Sequence, residues 1–402
     1  MQPYLAFNHY LGKRVHLGVC GSISAFKALE LLRMLQGTGA HLSATLTPSA
    51  MRFVTPLSFE ALGAAPVYGE MFDTRDALYG HLDPGQDADG FVIAPATANT
   101  IAKLACGLAD DMLSCQTLAF PHPLVIAPAM NPRLWNAAAT RENWAKLNER
   151  GHVCIEPECG AMACGEEGRG RLPQLERIYL QALRAVTRQD MAGRKVLITL
   201  GPTREPFDCV RFWSNPSTGT MGAALAVAAW LRGADVTAIC GPVDLWLPEG
   251  ITRVDVSTAR EMFEAASDVF SEVDVACFSA AVADYRPANP SAEKFKKGQG
   301  ELQVQFEANP DILKTLGTRK SQQQFLIGFA AESGQLDANC RAKLTAKKLD
   351  LIVGNDVTAQ GCGFGHSTNG VTVLDAKGRM EIWPVLAKTE VAWRVWDWML
   401  GL

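Results

Sequence analysis

Several things are missing from this sequence, and each absence narrows what the chain can be. No apolar run approaches the ~20 residues that a membrane-spanning helix needs, so a helical membrane protein is not expected. An excess of one charge is missing: 38 Lys and Arg face 42 Asp and Glu, leaving a net charge of −4. Without a global basic field, nothing gathers nucleic acid or an anionic membrane, and any recognition of phosphate must be local. A secretory leader is not expected, because Met1–Tyr10 is short and mixed. The paired CxxC spacing of a zinc site is missing too. The 11 cysteines are scattered, with Cys154, Cys159 and Cys164 five apart and Cys362 four before His366. That usage predicts free thiols in a reducing cytoplasm. The chain also lacks GxGxxG and the GKS or GKT of a Walker A loop, so neither NAD nor a P-loop is indicated.

What remains is ordinary globular material, 48% hydrophobic over 402 residues, enough for two or three domains. Arg14–Cys20 reads as a buried strand, Ala25, Phe26, Leu29, Leu32 and Leu35 recur at helical spacing, and His41–Leu46 reads as a second strand. Strand, helix, strand within so short a stretch is a βαβ unit and predicts a parallel sheet. The pattern continues with Gly90–Pro95, a helix at Ala98–Cys106 and a strand at Leu124–Pro128. It fades at Thr187–Gly193, which reads as a domain junction. It restarts with strands at Lys195–Leu200, Asp235–Cys240, Asp274–Phe278, Phe325–Phe329 and Leu351–Val353, and helices at Met221–Arg232 and around Asn339–Leu349. Val371–Leu374 and Met380–Trp383 flank a three-residue loop suited to a hairpin, and Val385–Leu400 reads as a closing helix. The expected fold is therefore α/β in two domains, 1–188 and 189–402. Each is a mainly parallel sheet flanked by helices: a flavodoxin- or Rossmann-like first half, and a Rossmann-like second half with a C-terminal β-hairpin.

Ligands of open parallel sheets sit at the carboxyl ends of strands. Three small, polar turns fall there in the first half: Gly21-Ser22-Ile23-Ser24, Thr47-Pro48-Ser49-Ala50, and Ala94–Thr100 with Thr97 and Asn99. Such turns hold phosphate through free N–H groups and hydroxyls. Helix N-caps favour the same residues. Three at one sheet edge point to a mononucleotide site. Ala127-Pro128-Ala129-Met130-Asn131 adds an amide at that edge, and His81 has the unperturbed pKa of a base near neutrality. Gly160–Leu172 carries four glycines, Cys164 and two arginines, the composition of a flap that covers a site and brings a proton donor. An ordinary loop has the same composition.

Taken together, HL (His81-Leu82), APATANTIAKLACGLADD (Ala94–Asp111), PAMN (Pro128–Asn131) and ACGEEGRGR (Ala163–Arg171) resemble, in order, the FMN-dependent cysteine decarboxylases. The resemblance runs from about Lys13 to Leu172. It implies that His81 is the active-site base, Asn131 holds the substrate carboxylate and Cys164 donates a proton. It implies FMN, held by Gly21, Ser22, Ser24, Thr47, Ser49, Thr97, Asn99 and Met130. The chemistry it implies is redox neutral: oxidation of a cysteine thiol to a thioaldehyde supplies the electron sink for loss of CO₂, and the hydride is then returned.

In the second half, Ser214–Gly222 leads into a helix as another possible phosphate cradle or a well-capped start. Ser279–Tyr285 ends a strand with Asp284, which could meet a metal or a base. Glu293–Gly298 carries three lysines, and Lys343 and Lys347 share one helix face at i and i+4, where like charges repel and an anionic partner becomes plausible. GPTREP, SNPSTG, AAVADYRP, EKFKK, NPDIL, GFAAE and LDLIVGNDV resemble, in order, phosphopantothenate–cysteine ligase of the bacterial type, over about Gly193 to Leu402. The resemblance implies CTP with Mg²⁺, Asp284 being the candidate ligand, and an acyl-cytidylate that cysteine's amine attacks. It implies that Asn215 contacts the acyl intermediate. Ala280, Asp284, Lys294, Pro310, Asp311, Ile312, Leu313, Phe329, Lys343 and Lys347 would surround CTP, with Lys294 stabilising charge on the transferring phosphate. One position departs: Thr220 stands where the family's loop has a basic residue before Met, a charge that Arg211 or another chain could supply.

Small-molecule substrates and a homo-oligomer follow from the same resemblance: trimers through the first half, dimers through the second, and together a dodecamer. The alternatives are a non-catalytic FMN-binding regulatory flavoprotein, against which His81, Asn131 and Cys164 argue, and a chain with only the decarboxylase half active.

Overall fold

The structure is a computed structural model that describes residues 1–72, 79–163, 165–295, 303–332, 336–356, 361–363 and 365–402. The chain forms two compact units, Ala6–Thr187 and Arg188–Leu402, with Gln2–Leu5 belonging to the second. No helix among the described residues is long and apolar enough to cross a membrane.

The first unit is built on six parallel strands: β1 (Arg14–Val19), β2 (His41–Leu46), β3 (Val67–Tyr68), β4 (Gly90–Ala96), β5 (Val125–Pro128) and β6 (Val153–Cys154). Their order in the sheet is β3-β2-β1-β4-β5-β6. Of the two topologies expected, this is the Rossmann order, with its switch point between β1 and β4. Every residue of β4 is buried, as a central parallel strand covered on both faces should be. On one face Phe91 and Ile93 pack with Ile101, Ala105, Trp144 and Leu147. The glycine-rich stretch expected as a flap is an antiparallel hairpin of β7 (Glu158–Ala161) and β8 (Glu167–Arg171).

The second unit continues with β9 (Lys195–Leu200), a small hairpin of β10 (Arg204–Pro206) and β11 (Phe212–Ser214), then β12 (Asp235–Cys240), β13 (Ile251–Asp255) and β14 (Val275–Phe278). A second small pair, β15 (Tyr285–Pro287) and β16 (Phe306–Ala308), precedes β17 (Phe325–Glu332), β18 (Leu351–Asp356), β19 (Thr368–Asp375) and β20 (Met380–Ala387). The main sheet runs β13-β12-β9-β14-β17-β18-β19-β20. Its six parallel strands repeat the spatial order of the first unit, third-second-first-fourth-fifth-sixth, and the antiparallel β19–β20 hairpin extends one edge. Two sheets with little visible sequence repetition therefore share one topology.

The Ala-rich helix Thr220–Leu231 lies against β9 because Gly222 lets it. A Cβ there would stand 2.4 Å from the Leu200 Cβ and 2.5 Å from the Ser279 Oγ. The closing helix starts at Lys388, three residues later than expected, because Val385–Ala387 prolong β20 against Thr368 and Asn369. Edge strand β13 has only Ile251 buried, so its polar sequence carried no strand signal.

Candidate active sites

At the carboxyl edge of the first sheet, the turn after β1 and the loop after β5 meet the β7–β8 hairpin around a cavity of about 300 Å³. Ser22, Ser24, Met130 and Asn131 line it, joined by Lys27 and Arg171, to which no role had been given. Ser22 begins the helical segment, its Oγ accepting from Ser24 N–H at 3.3 Å. Gly21, Thr47, Ser49, Thr97 and Asn99 do not line this cavity. Gly21 is packed on the neighbouring turn, where a Cβ would stand 2.4 Å from the Ser49 Cβ. The hydroxyls of Thr47 and Thr97 accept from the Ala50 and Thr100 N–H groups at 3.2 and 3.4 Å; Thr97 is the N-cap of the helix Ala98–Cys106, and Thr47 closes the turn before Ala50.

Asn131 is fixed from two sides. Its Oδ1 accepts from Arg133 N–H at 2.8 Å, capping the next short helix, and its Nδ2 donates to Glu166 Oε2 at 3.0 Å. Glu166 also pairs with the Arg133 guanidinium at 2.6 Å. The hairpin is held down further by the Met130 N–H, which donates to Gly170 O at 2.9 Å. Cys164 lies outside the described residues. His81 is half-buried before the helix Asp83–Asp87 and does not line the cavity. The loop that carries it is held by a buried polar network: Gln116 Nε2 donates to Gly80 O at 2.7 Å and Gln116 Oε1 accepts from Thr45 Oγ1. Thr45 in turn meets His16, whose ring also meets Ser43. Burial pushes the His16 imidazole down to about 3, so it is neutral at ordinary pH. Gln116 and His16 carried no motif signal, since isolated polar residues inside apolar segments are visible only once packed.

In the second unit the carboxyl edge of β9, β14 and β17 borders a cavity of about 410 Å³. Asn215, Ala280, Asp284, Pro310, Asp311, Ile312, Leu313, Phe329, Lys343 and Lys347, every residue expected there except Lys294, line it together. Asn215 is anchored through its Nδ2, which donates to the carbonyls of Ala281 and Val282 at 3.1 and 3.2 Å. Asp311 caps the helix Ile312–Arg319 and pairs with Lys347 at 2.9 Å. Lys343 pairs with Glu332, which also accepts from Asn339 at 2.8 Å. Each lysine of the repelling pair thus has a carboxylate of its own. Lys294 is exposed and does not line the cavity, and residues 296–302 beyond it are outside the described set.

Within the chain, Arg211 is engaged by Asp208 and not by Thr220. Its Nε and Nη2 both grip Asp208 Oδ2, at 2.9 and 2.6 Å, and Nη2 also reaches Phe295 O at 3.1 Å. The Asp208 carboxylate accepts further from the N–H groups of Val210, Arg211 and Phe295. The guanidinium, then these N–H donors, hold its pKa far below the usual carboxylate range. The pair anchors the start of the lysine segment at Phe295. Within GPTREP, Glu205 is a helix-capping residue: it is buried and accepts from Ala259 N–H at 2.9 Å.

Among the described residues no group of three or more His, Cys, Asp or Glu could hold a metal ion. Mg²⁺ is commonly held by one or two carboxylates with substrate phosphates, which Asp284 on the cavity wall could provide.

The family called Flavoprotein matches residues 6–186, and the family called DNA/pantothenate metabolism flavoprotein C-terminal domain matches residues 191–402. The chain is 42% identical over 388 residues to a coenzyme A biosynthesis bifunctional protein, CoaBC, of Bacillus subtilis strain 168, covering 95% of each chain. It is 41% identical over 365 residues to the protein of that name in Escherichia coli strain K12, covering 90% of each. A crystal structure of the C-terminal domain of a CoaBC protein is 38% identical to it, with a TM-score of 0.45, covering 52% of this chain and 95% of that one.

Proposed function

This chain belongs to the family of bifunctional coenzyme A biosynthesis proteins, and on that premise we propose how its two units divide the chemistry. It is a two-activity enzyme, a phosphopantothenate–cysteine ligase and a phosphopantothenoylcysteine decarboxylase, with a flavoprotein-family first unit.

The ligase reaction is assigned to the second unit, with CTP as the activating nucleotide. The observation that carries this is the single cavity onto which Asn215, Asp284, the Pro310–Leu313 loop, Phe329, Lys343 and Lys347 converge. Attack of the 4′-phosphopantothenate carboxylate on the α-phosphorus of CTP releases pyrophosphate and leaves an acyl-cytidylate. Cysteine's amine then displaces CMP to form the amide. Lys343 and Lys347 exchange their present carboxylates for the triphosphate, and Asp284 would be the residue to hold Mg²⁺, which would supply further neutralisation of phosphate charge. Asn215, fixed by two carbonyls, contacts the acyl intermediate. Lys294, on the exposed stretch outside the cavity, is assigned the stabilisation of charge on the transferring phosphate.

The decarboxylation is assigned to the first unit with FMN. Ser22 and Ser24 at a sheet edge beside Lys27, lining a cavity with Met130 and Asn131, are donors suited to a mononucleotide. Gly21, Thr47, Ser49, Thr97 and Asn99 frame the same edge. FMN supplies the hydride acceptor and donor that make loss of CO₂ from a cysteine feasible. Asn131 holds the substrate carboxylate through its amide, His81 takes the proton from the substrate, and Cys164 returns one to the ene-thiol product.

We further place the protein in the cytoplasm, in keeping with the unbridged cysteines among the described residues. We also propose the trimer-plus-dimer assembly into a dodecamer, for which the exposed Ile23, Phe26 and Leu57 offer apolar contact surface on the first unit. The test feeds purified protein with 4′-phosphopantothenate, cysteine and CTP-Mg²⁺. CMP, pyrophosphate and 4′-phosphopantetheine are expected, and a Cys164→Ser variant should release CO₂ but stall at an ene-thiol. Normal product from that variant would remove Cys164 from the mechanism.

A further inference from the structure

The stretch that carries His81 is a closed turn: the N–H groups of Leu82 and Asp83 both donate to Tyr79 O, at 2.7 and 3.2 Å. A turn closed on itself moves as one piece, so the imidazole stands wherever the two ends of the turn are held. Gln116 holds one end through Gly80 O. Tyr68 holds both. Its ring lies so close to Gly80 that a Cβ there would stand 2.9 Å from the Tyr68 Cδ1 and Cε1. Its hydroxyl donates to Asp83 Oδ2 at 3.1 Å. Tyr68 is itself buried, as one of the two residues of β3, and it pairs in register with Thr45, the residue that holds Gln116. Both supports of the turn thus spring from one point of the sheet.

Close packing does not seat this turn. A cavity of about 330 Å³ lies beside it, bordered by Leu42, Ser43, Pro66 and Pro84 and by Tyr68 and Asp83 themselves. With open space there, apolar contact leaves the turn free to shift, and directional contacts must fix it. A hydroxyl on a carboxylate is a charge-assisted bond, stronger than one between neutral groups. A base must stand within hydrogen-bond reach of its proton, and a misplacement of about 1 Å is costly in rate. We propose that Tyr68 is a positioning residue for decarboxylation. It brackets the His81 turn, with its ring on Gly80 and its hydroxyl on Asp83, and so sets where the imidazole stands. Tyr68 does not line the cavity assigned to FMN, so its influence passes through the turn. The proposal rests on the reading of His81 above.

The test measures kcat and KM for CO₂ release by the full chain in Tyr68→Phe, Asp83→Asn and the double variant, with CMP formation followed on the same preparations. Tyr68→Phe removes only the hydroxyl and keeps the ring on Gly80. Its kcat should fall about five- to tenfold, with KM within about twofold and ligation unchanged. Asp83→Asn keeps an acceptor without the charge and should lose less. The double variant should be no slower than Tyr68→Phe, because both changes act on one contact. Gly80→Ala should show the same split between kcat and KM, since its Cβ would press on the Tyr68 ring. Should Tyr68→Phe not fold, Gly80→Ala decides instead. An unchanged kcat, a KM that rises in step with the loss, losses that multiply in the double variant, or an equal loss of ligation overturns the proposal. His81→Asn decarboxylating at the wild-type rate overturns the reading of His81 instead.

Discussion

The side-chain amide of Asn131 donates to Glu166 Oε2 at 3.0 Å, so a carboxylate of the protein sits on the group proposed to hold the carboxylate of the substrate. Glu166 immediately precedes β8 and is steadied by Arg133. Substrate must displace it. Glu166→Gln replaces a charged acceptor by a weaker neutral one. We expect KM for decarboxylation of the acylated cysteine to fall about two- to fivefold, with kcat little changed. A raised KM would mean that Glu166 helps to bind substrate.

The Gln116 amide ties the His81 loop to the sheet by its bond to Gly80 O. Gln116→Leu keeps the volume but leaves a buried carbonyl and the Thr45 hydroxyl without their partner, at a cost of about 1–3 kcal/mol. Decarboxylation should fall about tenfold and ligation should not change, as measured by CO₂ release and CMP formation on one preparation. Parallel losses in both would point to general unfolding.

Asp208 accepts from Arg211 and from Phe295 N–H, at the root of the segment that follows Lys294. Asp208→Asn removes the charge that holds the guanidinium. Ligation should drop about tenfold while decarboxylation continues at the wild-type rate. Unaltered ligation would show that the lysine segment needs no such anchor.

Acid sensitivity should trace partly to His16, whose pKa is lowered from 6.5 to about 3 by burial. The sign follows from proton counting. Between those values the unfolded chain binds a proton that the folded chain does not, so stability rises with pH across the window and is lost as pH falls from 6.5 toward 3. The slope is about 1.4 kcal/mol per pH unit. Below about 6, His16→Asn should flatten the fall of the unfolding midpoint with pH, although it loses stability at pH 7. An unchanged slope would contradict a neutral buried imidazole.

The sequence reads most clearly where burial is continuous. Lys195–Leu200 and Asp235–Cys240 are strands over the expected residues because apolar runs flanked by turns leave little alternative. The edge strand Ile251–Asp255, with one buried residue, had no such pattern. In the larger cavity of the second unit, motif order brought the expected residues together apart from Lys294, because AAVADYRP follows β14 and GFAAE closes β17 at one sheet edge. The hydroxyls of Thr47 and Thr97 show the converse: residues that suit a phosphate also suit a turn or a cap, and each here accepts a backbone N–H as well as facing the sheet edge, so sequence pattern alone does not separate the roles. Lys388 was illegible for another reason. Its partner, the Thr220 hydroxyl, is 168 residues away, and a lysine opening a helix looks like a solvated one until the packing is seen.

The measurement closest to the centre of this account is quenched-flow detection of acyl-cytidylate with the purified chain, CTP-Mg²⁺ and 4′-phosphopantothenate, cysteine withheld. We predict stoichiometric pyrophosphate and a trapped cytidylate, CMP appearing only when cysteine is added, and neither in Lys294→Ala. Pyrophosphate formation by Lys294→Ala at the wild-type rate, or no nucleotide consumption by the wild type, would contradict it.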